Sequence, residues 1–228
     1  MNLSVVRAEA VLPVGPEWRS RRLCHPLTAK KFDAMESKLD LMIIDLETGG
    51  QRPEDHPILA VGFIVLVGGR IVDAWESGVL PHEKCCVPEP EALKINGWTG
   101  MKPDDISEDR LLAVLAAASR WVVKGQMMAP CGHNVAFDHA FLRAASQRNT
   151  AAPRWPPRWL DRRDVDTCAL LYPLLLNGTI GSSRSLDNAC KHLKLWDRLE
   201  REKDGHKSPL ADCIATLAVL YEILWRFA

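Results

Sequence analysis

Two acidic residues close the first long apolar run of the chain. Residues 45–49 have the sequence Asp-Leu-Glu-Thr-Gly and directly follow the apolar residues 41–44. Because side chains alternate along a strand, Asp45 and Glu47 are expected to project to the same side. Two carboxylates at a strand end form an oxygen-rich site suited to a hard divalent cation. A solvated strand end is the alternative, although a buried strand that delivers two acids is harder to explain by solvation.

A second polar cluster follows a short apolar stretch. Residues 132–138 have the sequence Gly-His-Asn-Val-Ala-Phe-Asp, and a helical pattern begins at Asp138. A carboxylate at a helix N-terminus is also favoured by the helix dipole, and Asn134 is also a common turn residue. The cluster therefore allows a functional and a structural interpretation.

A third cluster leads into the last apolar helix. Residues 206–212 have the sequence His-Lys-Ser-Pro-Leu-Ala-Asp, which places Asp212 in the first turn of that helix and His206 just ahead of it. A histidine with an ordinary pKa of about 6.5 can accept a proton at neutral pH. The alternative for His206 is an ordinary surface histidine.

The three clusters, in this order, resemble the DEDDh 3′–5′ exonucleases of the DnaQ-like and ribonuclease T superfamily. Further similar stretches lie at 91–97, 137–142 and 166–167, and the resemblance extends over residues 40–225. It implies an α/β fold, a ribonuclease H-like three-layer sandwich with a mixed central β-sheet flanked by helices.

The resemblance also implies the roles of individual residues. Two divalent cations, Mg²⁺ or Mn²⁺, would bind the attacking and leaving oxygens of a phosphodiester. The acids among the catalytic residues would hold these cations, and the histidine would accept a proton from the attacking water. The implied catalytic residues are Asp45, Glu47, Asp138, His206 and Asp212. The implied binding residues for the terminal nucleotide are Leu46, Thr48, Gly49, Asn134 and Phe137.

The histidine departs from the family pattern. The family histidine usually precedes the last aspartate by five positions, whereas His206 and Asp212 are six positions apart. His192 and Asp197 have the family spacing. We prefer His206 and Asp212 because an apolar helix follows Asp212, and one extra residue in a loop costs little.

The implied function is a metal-dependent 3′–5′ exonuclease that releases nucleoside 5′-monophosphates from single-stranded DNA or frayed ends. Trimming of RNA ends is the first alternative, and an inactive nuclease-fold binding module is the second. The expected partners are nucleic acid 3′ ends. A polymerase or replication partner and a homodimer stay open, and no membrane is expected.

Hydrophobic patterning predicts the elements that position these residues. Apolar runs predict a buried strand at 41–46 and a hairpin of 58–67 with 70–75, joined by a Gly-Gly turn. A short fourth strand is predicted at 126–130. Helical spacing predicts helices at 107–123, 138–148, 167–176, 185–193 and 209–227, the last capped by Ser208.

Composition limits the remaining possibilities. The chain has 228 residues, 47% of them apolar, and a formal net charge of zero, which is ordinary for a folded protein. A neutral chain does not coat nucleic acid by bulk charge, although a local basic patch is compatible with it. Seven scattered cysteines without a C-x-x-C pair favour free thiols and a cytoplasmic location. Residues 1–38 are predicted to form an extension, and 39–228 an exonuclease domain.

Residues 143–163 are notably basic. They contain six arginines and one acid, with Trp155 and Trp159 among prolines. Prolines exclude a regular helix, so an exposed loop is predicted. We hypothesise that the two tryptophans and the arginines clamp a single strand. A solvated, proline-stiffened loop is the alternative.

Overall fold

The computed structural model describes residues 40–123, 125–195 and 208–227. The predicted N-terminal extension and the predicted catalytic histidine, His206, lie outside these ranges. Among the described residues, no helix has both the length and the apolar character that crossing a bilayer requires.

A mixed five-stranded sheet forms the centre of the described part of the chain. Its strands are β1 (Leu41–Thr48), β2 (Ile58–Val67), β3 (Arg70–Gly78), β4 (Ala129–Gly132) and β5 (Val165–Asp166), in the order β3-β2-β1-β4-β5. Strand β2 is antiparallel to both β1 and β3, whereas β4 runs parallel to β1 and β5 parallel to β4. The predicted hairpin is confirmed, and Gly68 and Gly69 turn it with φ of 55° and 73°.

The parallel half of the sheet was predicted less well. The fourth strand begins at Ala129, three residues later than predicted, and it continues through Pro130 to Gly132. A proline is unusual inside a central strand, so Pro130 gives no sign in the sequence that the strand continues to Gly132. Strand β5 has only two residues and was not predicted, because so short a strand leaves no periodicity to detect.

Helices cover both faces of the sheet. They are α1 (Pro90–Asn96), α2 (Glu108–Ala117), α3 (Val135–Arg148), α4 (Thr167–Leu170), α5 (Tyr172–Leu176), α6 (Leu186–His192) and α7 (Pro209–Phe227). The predicted helix 107–123 ends early and continues as the 3₁₀ turn Ala118–Trp121. The predicted helix 167–176 is divided into α4 and α5, because Pro173 cannot donate the hydrogen bond that a continuous helix requires.

Alternation along β1 divides the core into two layers. Met42, Ile44 and Leu46 pack against α2 and α3 on one face. On the other face, Leu41 and Ile43 pack against Cys213 and Leu217 of α7. A further apolar cluster joins α5 and α6 to α7. The predicted three-layer α/β sandwich with a mixed sheet is therefore confirmed.

One row of residues crosses three strands on the α7 face. Asp45 of β1 is paired with Gly62 of β2, which is paired in turn with Glu76 of β3. A Cβ atom at Gly62 would overlap the backbone of Pro209 and Leu210. The missing side chain thus lets the first turn of α7 lie directly on β2, between the two acids.

Candidate active site

Three carboxylates meet where β1 approaches the start of α7. Asp45, Glu47 and Asp212 each offer a carboxylate oxygen, and these oxygens lie within 4.8 Å of one another. Asp45 and Glu47 project to the same side, as predicted, while Leu46 between them is buried in the opposite layer. Strand alternation and the packing of α7 together bring distant parts of the sequence to one point.

Asp138 lies in the first turn of α3, behind this cluster. Its side chain is only 5% exposed, and its Oδ1 accepts a hydrogen bond of 3.0 Å from the backbone N–H of Leu46. Burial, and to a smaller degree the carboxylate of Glu47, raise the pKa of Asp138 to about 8. Without a cation, this carboxyl therefore keeps its proton near neutral pH.

Cys213, which follows Asp212, fixes the start of α7 on the sheet. Its buried thiol lies 3.4 Å from the carbonyl oxygen of Gly62 and 3.8 Å from that of Ile43. Burial raises the pKa of the Cys213 thiol well above its ordinary value, and the carboxylate of Asp45 contributes to the same direction. The thiol therefore stays protonated and acts as a donor to the strands.

The N-terminus of α7 has two caps. Ser208 was predicted as the N-cap, and its Oγ accepts a hydrogen bond of 3.2 Å from the N–H of Ala211. The carboxylate of Glu76 accepts from the Ser208 hydroxyl at 2.5 Å and from the N–H of Leu210 at 3.3 Å. Glu76 was missed in the sequence, because nothing local marks a capping residue on another element.

The loop after β1 is held by its own backbone bonds. The N–H of Gly49 donates a hydrogen bond of 2.8 Å to the carbonyl of Pro57, and the Gly49 carbonyl accepts one of 2.7 Å from the backbone N–H of Glu89. The hydroxyl of Thr48 donates to the Gly50 carbonyl at 2.7 Å. These groups, predicted to contact a nucleotide, are used within the protein to shape the loop.

Two further residues support this loop: Asn96, which lies in the family-like stretch 91–97 but was given no role, and His56, which was missed in the sequence. Asn96 donates from Nδ2 to the Thr48 carbonyl at 2.8 Å. His56 is 2% exposed and packs under Gly50, with its Nε2 3.2 Å from a carboxylate oxygen of Glu89. The signal for Asn96 was the Asn-Gly pair at the end of α1, which looks like an ordinary helix terminus.

The segment before Asp138 is fixed from the β5 side. Asn134 is exposed, has a left-handed φ of 71°, and donates its N–H to Oδ1 of Asp166 at 2.9 Å. His133 contacts the Arg184 carbonyl at 2.7 Å, and burial lowers the pKa of this histidine. The ring of Phe137 is half-buried and lies 4.9 Å from that of Phe141. Asn134 and Phe137 thus flank Asp138, at the start of α3.

The carboxylate cluster fits a hard divalent cation. Three carboxylate oxygens within 4.8 Å of one another are the donor type that Mg²⁺ and Mn²⁺ prefer. The nearest thiol, that of Cys213, is buried and protonated, so it does not compete as a soft ligand. The residues that would hold the cations are Asp45, Glu47 and Asp212, with Asp138 behind them.

A cleft of about 450 Å³ lies beside the cluster. Glu47 forms one edge, and the small residues Ala60 and Gly78 of the adjacent strands line the cleft. Trp98 and Ser208 also line it. The aromatic ring of Trp98 suits a ligand with a planar group, whereas an attached phosphate would need a cation between itself and the carboxylate of Glu47.

Two parts of the basic-loop hypothesis are wrong. Trp155 is only 6% exposed, and its Nε1 donates to Nδ1 of His139 at 2.7 Å, so it is a core residue and cannot stack on a substrate. Arg148 belongs to α3 and forms a buried ion pair of 2.7 Å with Glu108. Trp159 is half-buried against the core. The arginines that stay exposed are Arg143, Arg154, Arg158, Arg162 and Arg163.

The alternative histidine lies on a different element. His192 ends α6, and its ring packs beside Gly181. Its spacing partner, Asp197, falls outside the described residues. The first turn of α7 carries Asp212 into the carboxylate cluster, which supports the choice of Asp212 over Asp197.

The chain is similar to known nucleases. A family model described as Exonuclease, the RNase T family, matches residues 42–220. Ribonuclease T of Yersinia enterocolitica is 26% identical over 178 residues, which cover 71% of this chain and 80% of that protein. DNA polymerase III PolC-type of Oceanobacillus iheyensis is 26% identical over 204 residues, 88% of this chain but 12% of the polymerase.

A solved structure shares the fold. The Escherichia coli ExoI–ssDNA complex superposes with a TM-score of 0.63 at 20% identity, over 83% of this chain and 41% of that one. The chain therefore spans less than half of the exonuclease I chain and a small part of the polymerase. The ribonuclease H-like arrangement of the sheet and helices agrees with this similarity.

Proposed function

Because the chain belongs to the exonuclease family defined by ribonuclease T, we propose that it is a metal-dependent 3′–5′ exonuclease acting on nucleic acid 3′ ends. The observation that carries this proposal is the convergence of Asp45, Glu47 and Asp212 within 4.8 Å. The domain match covers the whole of this site, and the reaction is phosphodiester hydrolysis.

The residues of the chain have distinct roles in the proposed reaction. When bound, two divalent cations, Mg²⁺ or Mn²⁺, supply Lewis acidity and lower the pKa of water. Asp45, Glu47 and Asp212 hold them from β1 and α7. Asp138, oriented by the Leu46 N–H, completes the set of acids from α3. His206 accepts the proton of the attacking water, which suits the ordinary pKa of a histidine.

The cleft next to Glu47 is the proposed seat of the terminal nucleotide. Leu46, Thr48 and Gly49 shape the end of β1, while Asn134 and Phe137 flank Asp138 on the other side. We assign these five residues to substrate binding. None of the five lines the cleft of about 450 Å³, so this assignment rests on the resemblance to the family and on their places at the end of β1 and the start of α3.

Single-stranded DNA or frayed ends are the proposed substrates, and nucleoside 5′-monophosphates the products. RNA ends are the second candidate, supported by the similarity to ribonuclease T over 80% of that protein. The local similarity to a PolC-type polymerase supports a polymerase or replication partner. A homodimer, a cytoplasmic location and the division into an extension at 1–38 and a domain at 39–228 stay predictions.

A labelled-oligonucleotide assay tests the function. DNA and RNA of one sequence, 5′-labelled, are incubated with the full chain and Mg²⁺, Mn²⁺ or EDTA. We expect a ladder of shortened products with either cation and none with EDTA, and the faster substrate identifies the sugar. A 3′-phosphorylated oligonucleotide is the control for a free end, and Asp45→Asn is the control for the site.

Two outcomes would contradict the proposal. Internal cleavage at the first time points would indicate an endonuclease. Tight binding without any shortening, by a chain whose melting shows it folded, would indicate a nucleic-acid-binding module instead.

A further inference from the structure

Asp212 reaches the carboxylate cluster only if the first turn of α7 keeps its position on the sheet. That turn begins at Pro209, and Asp212 lies within it. Three carboxylates within 4.8 Å repel one another before a cation binds, and this repulsion opposes the position of Asp212 beside Asp45 and Glu47. Contacts between the turn and the sheet must therefore offset this repulsion when the site is empty of metal, and the Cys213 thiol supplies one of them.

Glu76 has the geometry for this task. It lies on β3 and bonds α7 at two points 132 and 134 residues away in sequence, the Ser208 hydroxyl and the Leu210 N–H. A carboxylate at a helix N-terminus satisfies free N–H groups and opposes the positive end of the dipole. Ser208 itself bonds the Ala211 N–H, so Glu76 and Ser208 together satisfy consecutive donors of the first turn.

The register of the sheet places Glu76 beside the first turn of α7. Asp45, Gly62 and Glu76 form one row across β1, β2 and β3. Gly62 leaves a gap into which the backbone of Pro209 and Leu210 fits, with an acid on either side of it. The turn is thus seated on Gly62 and bonded by Glu76, and Asp212 projects toward Asp45.

We propose that Glu76 is a positioning residue for the metal site, which holds the first turn of α7, and with it Asp212, against β1 before the cations bind. This inference rests on the proposed function in so far as it concerns the cations. Glu76 acts through the helix, and it is distinct from the ligands Asp45, Glu47 and Asp212.

The test compares Glu76→Ala with Glu76→Gln in the full chain. The glutamine keeps an oxygen that can accept both hydrogen bonds but lacks the negative charge. The alanine loses the two hydrogen bonds as well as the charge. The first measurement is amide hydrogen exchange of 210–213 in EDTA. We expect about tenfold faster exchange in Glu76→Ala and near wild-type exchange in Glu76→Gln, as for the loss and retention of a helix cap. Glu83→Ala, an exposed acid in the loop after β3, is the matched control for lost surface charge.

The second measurement is Mn²⁺ binding by calorimetry. We expect about threefold to tenfold weaker binding in Glu76→Ala, with kcat recovered at saturating Mn²⁺, and a smaller loss in Glu76→Gln. Gly62→Ala, which pushes the turn off β2, should weaken binding more than either variant. If Gly62→Ala does not fold, the two Glu76 variants still decide the question.

Several results would overturn the inference. Unchanged exchange at 210–213 in Glu76→Ala would show that the cap does not hold the turn. Loss of Mn²⁺ binding in Glu76→Gln as complete as in Asp45→Asn would make Glu76 a ligand rather than a positioning residue. The exchange measurement uses no substrate, so it tests the role of Glu76 independently of activity. A wild-type chain without exonuclease activity would refute the proposed function and leave the positioning role of Glu76 standing.

Discussion

The carboxylate of Asp138 accepts a hydrogen bond of 3.0 Å from the backbone N–H of Leu46, which joins the first turn of α3 to β1 between two acids of the metal cluster. Asp138 therefore has two proposed roles. Its negative charge helps to bind the cations, and its oxygen accepts a hydrogen bond from a buried N–H. Two substitutions at Asp138 distinguish them.

Asp138→Asn should keep the hydrogen bond and lose the charge. We expect a stability in EDTA close to that of the wild type near neutral pH, where the buried carboxyl already carries a proton, and at least a hundredfold loss of exonuclease rate. Asp138→Ala should lose activity equally and also about 1–3 kcal/mol of stability, since the Leu46 N–H is left unsatisfied. Urea unfolding and the oligonucleotide assay measure both effects. Equal stabilities of the two variants would contradict this role of the bond.

Divalent cations should stabilise the folded chain. Mn²⁺ at one hundred times its dissociation constant should add about 2.7 kcal/mol, or about 5–10 °C in melting temperature, and EDTA should reverse the shift. Asp45→Asn should abolish the shift, whereas Glu83→Gln should retain it. A full shift in Asp45→Asn would place the cation elsewhere on the protein.

Trp155→Phe should lower stability without changing nucleic acid binding. The change removes the bond of 2.7 Å to Nδ1 of His139 inside the protein, at a cost of about 1–3 kcal/mol. In the same loop, Arg158→Gln should leave stability within about 0.5 kcal/mol. If the exposed arginines contact phosphates, Arg158→Gln should flatten the salt dependence of single-strand binding by about 0.7 in the log–log slope. A flatter slope in Trp155→Phe would contradict its assignment to the core.

Glu108→Gln should be strongly destabilising. Its side chain is fully buried and pairs with that of Arg148, which is 9% exposed, at 2.7 Å. Removing the negative charge leaves a buried guanidinium uncompensated, at a cost of about 3–5 kcal/mol. Asp161→Asn is the control, since its partner Arg163 is 95% exposed and 4.0 Å away, and it should cost at most about 0.5 kcal/mol. Thermal melting of both variants in one buffer compares them, and similar losses would refute the distinction.

What could be predicted from the sequence was local. Alternation placed Asp45 and Glu47 on one side of a strand, and Ser208 before a proline identified the start of α7 and therefore the position of Asp212. The order of strands and helices predicted an α/β sandwich with a mixed sheet, and the resemblance to the exonuclease family implied its three-layer fold. These features depend on neighbours along the chain, and the structure confirms them.

What could not be predicted depends on contacts between elements. Nothing near Glu76 in sequence shows that it caps α7, because that bond exists only once β3 and α7 are packed. Trp155 lies among prolines and arginines, which is typical of a surface loop, yet its partner His139 buries it. The two-residue strand β5 is a strand only through its pairing with β4.

The Cys213 thiol donates a hydrogen bond of 3.8 Å to the carbonyl oxygen of Ile43, 170 residues earlier in the chain. During synthesis on the ribosome, β1 and α3 emerge long before α7, so the growing polypeptide holds Asp45, Glu47 and Asp138 but lacks Asp212. The cluster closes only when α7 has emerged and docked on β1 and β2. We therefore expect the growing chain to lack exonuclease activity until α7 has docked.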